Sequence, residues 1–163
     1  MARRRDLLTG AAIGLTVLAL DQGSKLWAQR ALTPGYEVTV VRGWVWLRLT
    51  SNTGAMFGLL SGNNLLFLVV TALVVAIVAV IMVRGFAPGV LGAGALGSVA
   101  GGATSNLVDR VRLGGVIDFI EVHLWPTDFN LADAAIRLGV VVFVLALLLD
   151  LRMRRRRAAA RWP

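Results

Sequence analysis

The segment that most constrains the fold is residues 65–83, where 19 consecutive residues carry no charged side chain. About 20 apolar residues in a helix span the hydrocarbon core of a bilayer, so this segment predicts a transmembrane helix. Three other segments are similarly long and apolar, and we predict four spans at residues 7–27, 65–83, 86–108 and 131–149. The 57% hydrophobic and 16% charged content excludes a water-soluble domain.

The third predicted span differs from the other three because it is rich in glycine. Such a helix has little side-chain bulk and can approach its neighbours closely, so we expect it to lie centrally in the bundle. Its glycines within residues 86–108 are Gly89, Gly92, Gly94, Gly97, Gly101 and Gly102.

The positions of the basic residues predict the orientation of the chain in the membrane. The net charge of +8 arises from arginines at residues 3–5 less the charge of Asp6, from Arg84 and from the basic tail at residues 150–163. Basic residues next to spans mark cytoplasmic segments, so both termini should be cytoplasmic and the loops at 29–63 and 109–130 external. Because the charge lies beside the spans, we expect no nucleic-acid partner.

The first external loop shows an alternating pattern over residues 36–50, which is typical of a strand. Tryptophans at this position suit the membrane interface, where an apolar ring and a polar N–H each find a favourable medium. We therefore predict a small external β-sheet over about residues 36–57, lying on the membrane surface. Its two faces carry Trp44, Trp46 and Arg48 on one side and Val45, Leu47 and Leu49 on the other.

Ionisable and amide side chains cluster at the predicted external ends of the spans. An ionisable residue at membrane depth is unfavourable unless it is paired or hydrated, so each such residue requires an explanation. Asp21 and Lys25 lie four residues apart on one helix face and can form an ion pair. The other members of the cluster are Asn106, Asp109, Arg110, Asp118, Asn130 and Asp133.

Carboxylates in this cluster suggest acid–base chemistry. When two carboxylates meet in a low-dielectric site, one retains a proton while the other stays a base. Such a pair can activate water and protonate the oxyanion that forms from a peptide carbonyl. Spacing allows Asp118 to meet either Asp133 or Asp109, and a purely structural polar network at the end of the bundle is the alternative.

Two other classes of function use similar residues. An ion- or proton-coupled transporter needs ionisable groups at successive depths. The second span has none, and the third has none before its outer end. A non-catalytic assembly or lipid-binding subunit would tolerate the loss of Asp118 or Asp133, whereas a protease would not.

Five motifs, in order along nearly the whole chain, resemble those of the bacterial lipoprotein signal peptidase family, also called signal peptidase II. Members of that family are integral-membrane aspartyl proteases. The motifs are DQGSK at 21–25, NTGAMF at 52–57, GGATSNLVDR at 101–110, GVIDF at 115–119 and FNLAD at 129–133.

The resemblance implies that Asp118 and Asp133 form the catalytic pair of an aspartic endopeptidase. The implied substrate is a diacylglyceryl-modified prolipoprotein, cut just before its lipidated cysteine at the bacterial inner membrane. It implies no cofactor or metal, and we expect a monomer surrounded by membrane lipids. It also implies substrate-binding or site-orienting roles for Asn52, Asn106, Arg110 and Asn130, and supporting roles for Asp21, Lys25, Gly54 and Asp109.

A few residues lie outside the pattern or leave their role open. Ser105 stands where the family usually has glycine, and Met56 stands where it usually has alanine. Arg137, four residues after Asp133, could pair with that carboxylate. We expect His123 to be a loop residue, because a single histidine makes a poor metal site.

Overall fold

The structure is a computed structural model that describes residues 2–54 and 63–159. Four helices and a small antiparallel sheet in these ranges agree with the predicted fold class. The last part of the predicted β-element, including Met56, lies outside the described residues. The elements are α1 (Ala2–Ala31), β1 (Glu37–Val41), β2 (Val45–Asn52), α2 (Asn64–Arg84), α3 (Gly89–Leu113), β3 (Val116–Val122) and α4 (Leu131–Ala159).

Three of the described helices are long and apolar enough to cross a membrane, namely Arg3–Ala31, Asn64–Arg84 and Leu131–Ala158. Helix α3 is less apolar because glycines replace larger aliphatic residues, and much of it is buried by the other helices. Helix α1 extends beyond its predicted span at both ends, and helix α4 extends beyond its predicted span at the C-terminal end. The limits of the spans within these helices remain predictions.

Helix α3 is the centre of the bundle, as its glycine content predicted. It packs against α1, α2 and α4. A Cβ atom at Gly97 or Gly101 would overlap the backbone oxygen of Gly10 or Gly14 on α1. At Gly102 a Cβ would lie 2.7 Å from the backbone oxygen of an α4 residue. Because these glycines of α3 have no side chains, α1 and α4 can lie close to α3.

The end of α3 directs the chain into the sheet. Gly114 has a left-handed backbone with φ of 76°, and its N–H donates to the carbonyl of Arg110. This conformation favours glycine and ends the helix. Strand β3 begins two residues later, so Asp118 lies close to the end of α3.

The sheet has the order β1-β2-β3, and both pairs of strands are antiparallel. Strand β3 lies between α3 and α4, in a segment for which the sequence pattern predicted no strand. Its register places Thr50 opposite Asp118 and Asn52 opposite Val116. The sheet covers one end of α1 through a cluster of Ala28, Leu32 and Phe119, against which Leu47, Leu49 and Ile120 pack.

Candidate active site

The polar residues that the sequence grouped together meet where α1, α3, β3 and the beginning of α4 come together. Asp118 of β3 is buried, with 2% of its surface exposed. Asn52 donates its side-chain amide to Oδ2 of Asp118 at 3.1 Å, and Asn130 donates to Oδ1 at 2.7 Å. Both oxygens of this carboxyl group are therefore held by amides from two different elements.

The surroundings of Asp118 favour its protonated form. Burial and the negative charge of Asp133 raise the pKa of Asp118 to about 7, against the opposing effects of Asn52, Asn130 and Lys25. Loss of water penalises the ionised carboxylate, and a second carboxylate nearby repels it. Asp118 can therefore hold a proton near neutral pH.

Asp133 lies in the first turn of α4 and is half-buried, so it is more accessible to water than Asp118. Asn106 donates to Oδ1 of Asp133 at 2.8 Å. The backbone N–H of Asp133 donates to the side-chain oxygen of Asn130 at 2.9 Å. Asn130 thus caps the N-terminus of α4 and binds Asp118 with the same side chain.

Lys25 lies beneath these residues in a buried network. Its Nζ lies 2.6 Å from Oδ2 of Asp21 and 2.8 Å from Oδ2 of Asp109, and it donates to the side-chain oxygen of Asn106 at 2.9 Å. The predicted pairing of Asp21 with Lys25 is confirmed. Because Asn106 accepts from Lys25, its NH₂ group points toward Asp133.

The two carboxylates of this network also join separate elements. Asp21 accepts from the backbone N–H of Ala132 at 2.7 Å and from the hydroxyl of Ser105 at 2.7 Å. Asp109 accepts from the backbone N–H of Ile117 at 3.2 Å. Asp21 therefore fixes α4 against α1, and Asp109 fixes β3 against α3.

Sequence reasoning missed two members of the network. Gln22 donates its side-chain amide to Asp109 at 2.9 Å and to the hydroxyl of Ser105 at 2.9 Å. Ser105 is fully buried, and its hydroxyl makes a bond to Asp21 that glycine could not make. The spacing of Gln22 and Lys25, three residues apart on one helix, is the sequence pattern that could have indicated Gln22.

Gly54 and Arg110 complete the set of predicted site residues. The backbone N–H of Gly54 donates to the side-chain oxygen of Asn52 at 3.0 Å, which directs the NH₂ group of Asn52 toward Asp118. The guanidinium of Arg110 lies 5.6 Å from the ring of Phe67, and its Nε is buried without a hydrogen-bond partner among the described residues. Arg110 thus has a donor available beside the network.

A cleft of about 400 Å³ opens onto Asn52 and Asp118 between β2 and the loop that follows β3. Arg48 spans this cleft and donates to both oxygens of Asp128, at 3.1 and 3.2 Å. Its guanidinium also lies 3.4 Å from carboxylate oxygens of Glu37 and Glu121. The cleft is lined by polar side chains and by residues of β2, which suits a peptide backbone with hydrogen-bonding groups.

Arg137 and His123 lie beside aromatic rings. The guanidinium of Arg137 lies 4.7 Å from the ring of Trp125 and 5.5 Å from that of Phe129, an arrangement typical of cation–π contacts. The described residues include no ion pair between Arg137 and Asp133. His123 follows β3 and contacts the rings of Trp44 and Trp46, at 5.9 and 6.3 Å between centroids.

Comparison with known proteins agrees with this architecture. Residues 13–149 match the family model described as Signal peptidase (SPase) II. The lipoprotein signal peptidase of Syntrophomonas wolfei is 38% identical over 144 residues, which cover 88% of this chain and 95% of that protein. The lipoprotein signal peptidase of Pelotomaculum thermopropionicum is 43% identical over 136 residues, which cover 82% of this chain and 88% of that protein.

A solved structure gives the same result for the fold. It is a bacterial membrane enzyme determined by the in meso method at 2.3 Å resolution, and its TM-score to this chain is 0.79 at 27% identity. The match covers 87% of this chain and 88% of the solved one. Sequence and fold therefore agree over most of the molecule, and the chain belongs to the signal peptidase II family of membrane proteases.

Proposed function

We propose that this chain is an aspartic endopeptidase that removes the signal peptide from diacylglyceryl-modified prolipoproteins, cutting just before the lipidated cysteine. The related lipoprotein signal peptidases support this class of substrate. The observation that carries the proposal is that one side chain, Asn130, bonds both to Asp118, which lines the cleft, and to the backbone of Asp133.

In the first step, Asp133 acts as the base. Asp133 is more accessible to water than Asp118, and Asn106 holds one of its oxygens. Asp133 takes a proton from water while the water oxygen attacks the carbonyl carbon of the scissile peptide bond. Asp118, protonated at rest, donates its proton to the carbonyl oxygen, so a neutral tetrahedral intermediate forms.

In the second step, the intermediate collapses. The proton held by Asp133 passes to the leaving nitrogen, the C–N bond breaks, and the hydroxyl proton returns to Asp118. The products are a carboxylic acid on the signal peptide and a free amine on the lipidated cysteine. The pair then returns to its resting state with one proton.

The surrounding residues position the pair and the substrate. Asn52 and Asn130 hold Asp118, and Asn106 holds Asp133. Arg110 lines a cavity of about 200 Å³ together with Asn106, and its guanidinium donors have a fixed planar geometry, which supports a role in binding substrate carbonyl oxygens. Asp21, Lys25, Gly54 and Asp109 are positioning residues, because they act through the asparagines and the backbone.

The chain is a protein of the bacterial inner membrane, as its family and its apolar helices indicate. We place both termini on the cytoplasmic side and the dyad near the external face, because arginines flank the opposite ends of the helices. A lipid-anchored substrate is then concentrated in the outer leaflet beside the cleft. We propose that a monomer suffices, since each residue of the proposed mechanism comes from one chain.

The alternative of an ion- or proton-coupled transporter is not favoured. Helix α2 has no ionisable side chain before Arg84, and α3 has none before Asp109. The buried polar network is confined to one end of the bundle, whereas a transport pathway needs groups at successive depths.

The test is cleavage of a diacylglyceryl-modified prolipoprotein peptide by purified protein in detergent. We expect Asp118→Asn and Asp133→Asn each to abolish cleavage while thermal unfolding shows an intact fold. Asp150→Asn, at the opposite end of α4, is the matched control and should cleave normally. Cleavage that survives either dyad substitution would disprove the site assignment, and cleavage at another bond would disprove the substrate assignment.

A further inference from the structure

An apolar groove of about 580 Å³ runs along the bundle between α1, α2 and α3. Both α1 and α2 pack on α3, but they make little contact with each other, which leaves the groove between them. Its described lining is apolar apart from Thr104, and it includes Leu7, Leu15, Val75 and Met82. The lining extends on α1 from Leu7 to Leu18, about 16 Å at the helical rise per residue, and this apolar length suits an acyl chain.

A second cavity of about 270 Å³ adjoins the groove at the basic end of the bundle. The two cavities share Leu7 and Met82, and the second is also lined by Arg3, Asp6 and Arg84. Two guanidinium groups face one carboxylate there, so the cavity carries a net positive charge. An apolar groove thus leads directly into a basic cavity.

The polar groups of the second cavity are only partly paired. Arg3 donates through one nitrogen to the backbone carbonyl of Val83, which leaves its other donors available. Oδ1 of Asp6 is buried and has no hydrogen-bond partner among the described residues. A buried oxygen without a partner is unusual in a native protein, so Oδ1 of Asp6 can accept a hydrogen bond from a bound molecule.

We propose that the groove and the basic cavity together bind one anionic glycerophospholipid. Its phosphate accepts from Arg3 and Arg84, a hydroxyl of its headgroup donates to Asp6, and one acyl chain fills the groove. Guanidinium groups bind phosphate oxygens in a fixed geometry, which suits this role. The site lies at the basic end of the helices, where the headgroups of the cytoplasmic leaflet are expected.

The headgroup cavity decides which lipid binds. Acyl chains of all phospholipids are alike, and apolar helix surfaces do not distinguish between them, so the groove alone gives no selectivity. A net positive cavity favours a lipid with net negative charge over a zwitterionic one. A headgroup with free hydroxyls, such as that of phosphatidylglycerol, also supplies the donor that Asp6 lacks, which phosphatidylcholine cannot, while net charge distinguishes it from phosphatidylethanolamine. The bound lipid would join α1 to α2.

The test is lipid titration of delipidated protein in detergent, followed by native mass spectrometry. The probes are phosphatidylglycerol, phosphatidylethanolamine and phosphatidylcholine with identical acyl chains. We expect one phosphatidylglycerol to bind about tenfold more tightly than either zwitterionic lipid and to raise the unfolding temperature. Equal affinity for the three lipids would overturn the proposal, because it would leave only ordinary solvation of the groove by lipid.

Substitutions locate the site. The double variant Arg3→Gln with Arg84→Gln should lose the tenfold preference for phosphatidylglycerol. The matched control, Arg152→Gln with Arg156→Gln, removes two exposed charges from the α4 tail and should keep the preference. If the control loses the preference instead, the headgroup binds at the tail and the proposal is wrong.

A second pair of variants tests the groove. Ala79→Phe places a ring in the groove and should weaken binding of phosphatidylglycerol by about tenfold. Ala76→Phe adds the same ring to the exposed surface of α2 outside the groove and should have no effect. If Ala79→Phe does not fold, Ala11→Phe fills the same groove from α1. Unchanged binding in a folded groove variant would overturn the acyl-chain assignment.

Discussion

Asn130, which directly precedes α4, donates its side-chain amide to Asp118 of β3 at 2.7 Å. The oxygen of the same side chain accepts from the backbone N–H of Asp133 at 2.9 Å. Asn130 is fully buried, so it has one fixed orientation. A single amide therefore sets the position of one aspartate and the beginning of the helix that carries the other.

The two roles of Asn130 can be separated by substitution. Asn130→Ser keeps an N-cap oxygen but cannot reach Asp118, whereas Asn130→Ala loses both functions. Asn130 stabilises the negative charge that forms on Asp118 when it gives up its proton. A hydrogen bond to a charged group contributes about 1.5–3 kcal/mol, so we expect kcat/KM to fall about 10- to 100-fold in both variants. Thermal unfolding should show a loss of about 1 kcal/mol in the alanine variant alone. Full activity in the serine variant would contradict the role of the bond to Asp118.

The proposed mechanism predicts a pH dependence. Asp118 must be protonated to donate to the carbonyl oxygen, and its pKa is raised to about 7 by burial and by Asp133. As pH rises through this value the acid is lost, so kcat/KM should fall by about tenfold per pH unit above it. The measurement is kcat/KM across neutral and alkaline pH, with unfolding followed in parallel. A rate that stays constant to strongly alkaline pH would show that Asp118 is not the acid.

The buried network around Lys25 predicts a large effect on stability. Lys25→Met leaves Asp21 and Asp109 as buried carboxylates without their cation, which should destabilise the fold by about 3–5 kcal/mol. The control is Arg154→Met, which removes an exposed pair with Asp150 that has the same spacing of four residues. Exposed pairs contribute little, so this variant should unfold like the wild type. Equal unfolding of both variants would contradict a structural role for Lys25.

Some features of this fold follow from local sequence patterns and others depend on distant contacts. The run at residues 65–83 predicts a helix on its own, and the glycines of α3 predict close packing, because both effects are local. Strand β3 was not predicted, since the short apolar segment around Asp118 becomes a strand only when it pairs with β2. Nonlocal pairing of this kind leaves no periodic pattern in one sequence.

The contacts of the candidate site also divide into those that follow from local spacing and those that depend on distant packing. Asp21 and Lys25 could be paired from their spacing on one helix, which fixes their relative direction. The bond between Gln22 and Ser105 could not be predicted from spacing, because it depends on how α1 and α3 are rotated against each other. Spacing allowed Arg137 to pair with Asp133, but its guanidinium lies over the ring of Trp125, a contact that depends on the distant loop after β3.

The close contact of α1 with α3 predicts the effect of one added methyl group. Gly101→Ala would place a Cβ against the backbone oxygen of Gly14, so the helices must separate. Overpacking of this kind should destabilise the protein by about 1–3 kcal/mol. Gly23→Ala is the matched control on α1, because its Cβ would meet no atom within 4 Å. It should be neutral or more stable, since alanine favours a helix.

The bond between Arg48 and Asp128 predicts an effect on substrate binding. Arg48→Lys keeps the charge but cannot bind both oxygens of Asp128, so the loop beside the cleft should become more mobile. We expect KM to rise a few-fold with little change in kcat, and limited proteolysis of the loop after β3 to become faster, since partly exposed pairs contribute modestly.

The matched control for Arg48 is Arg42→Lys, an exposed arginine in the turn between β1 and β2. Its KM and rate of proteolysis should equal those of the wild type. The two measurements distinguish loop mobility from a direct catalytic role. If Arg48→Lys lowers kcat and leaves both KM and proteolysis unchanged, Arg48 acts on the reacting groups, and its bond to Asp128 does not control access to the cleft.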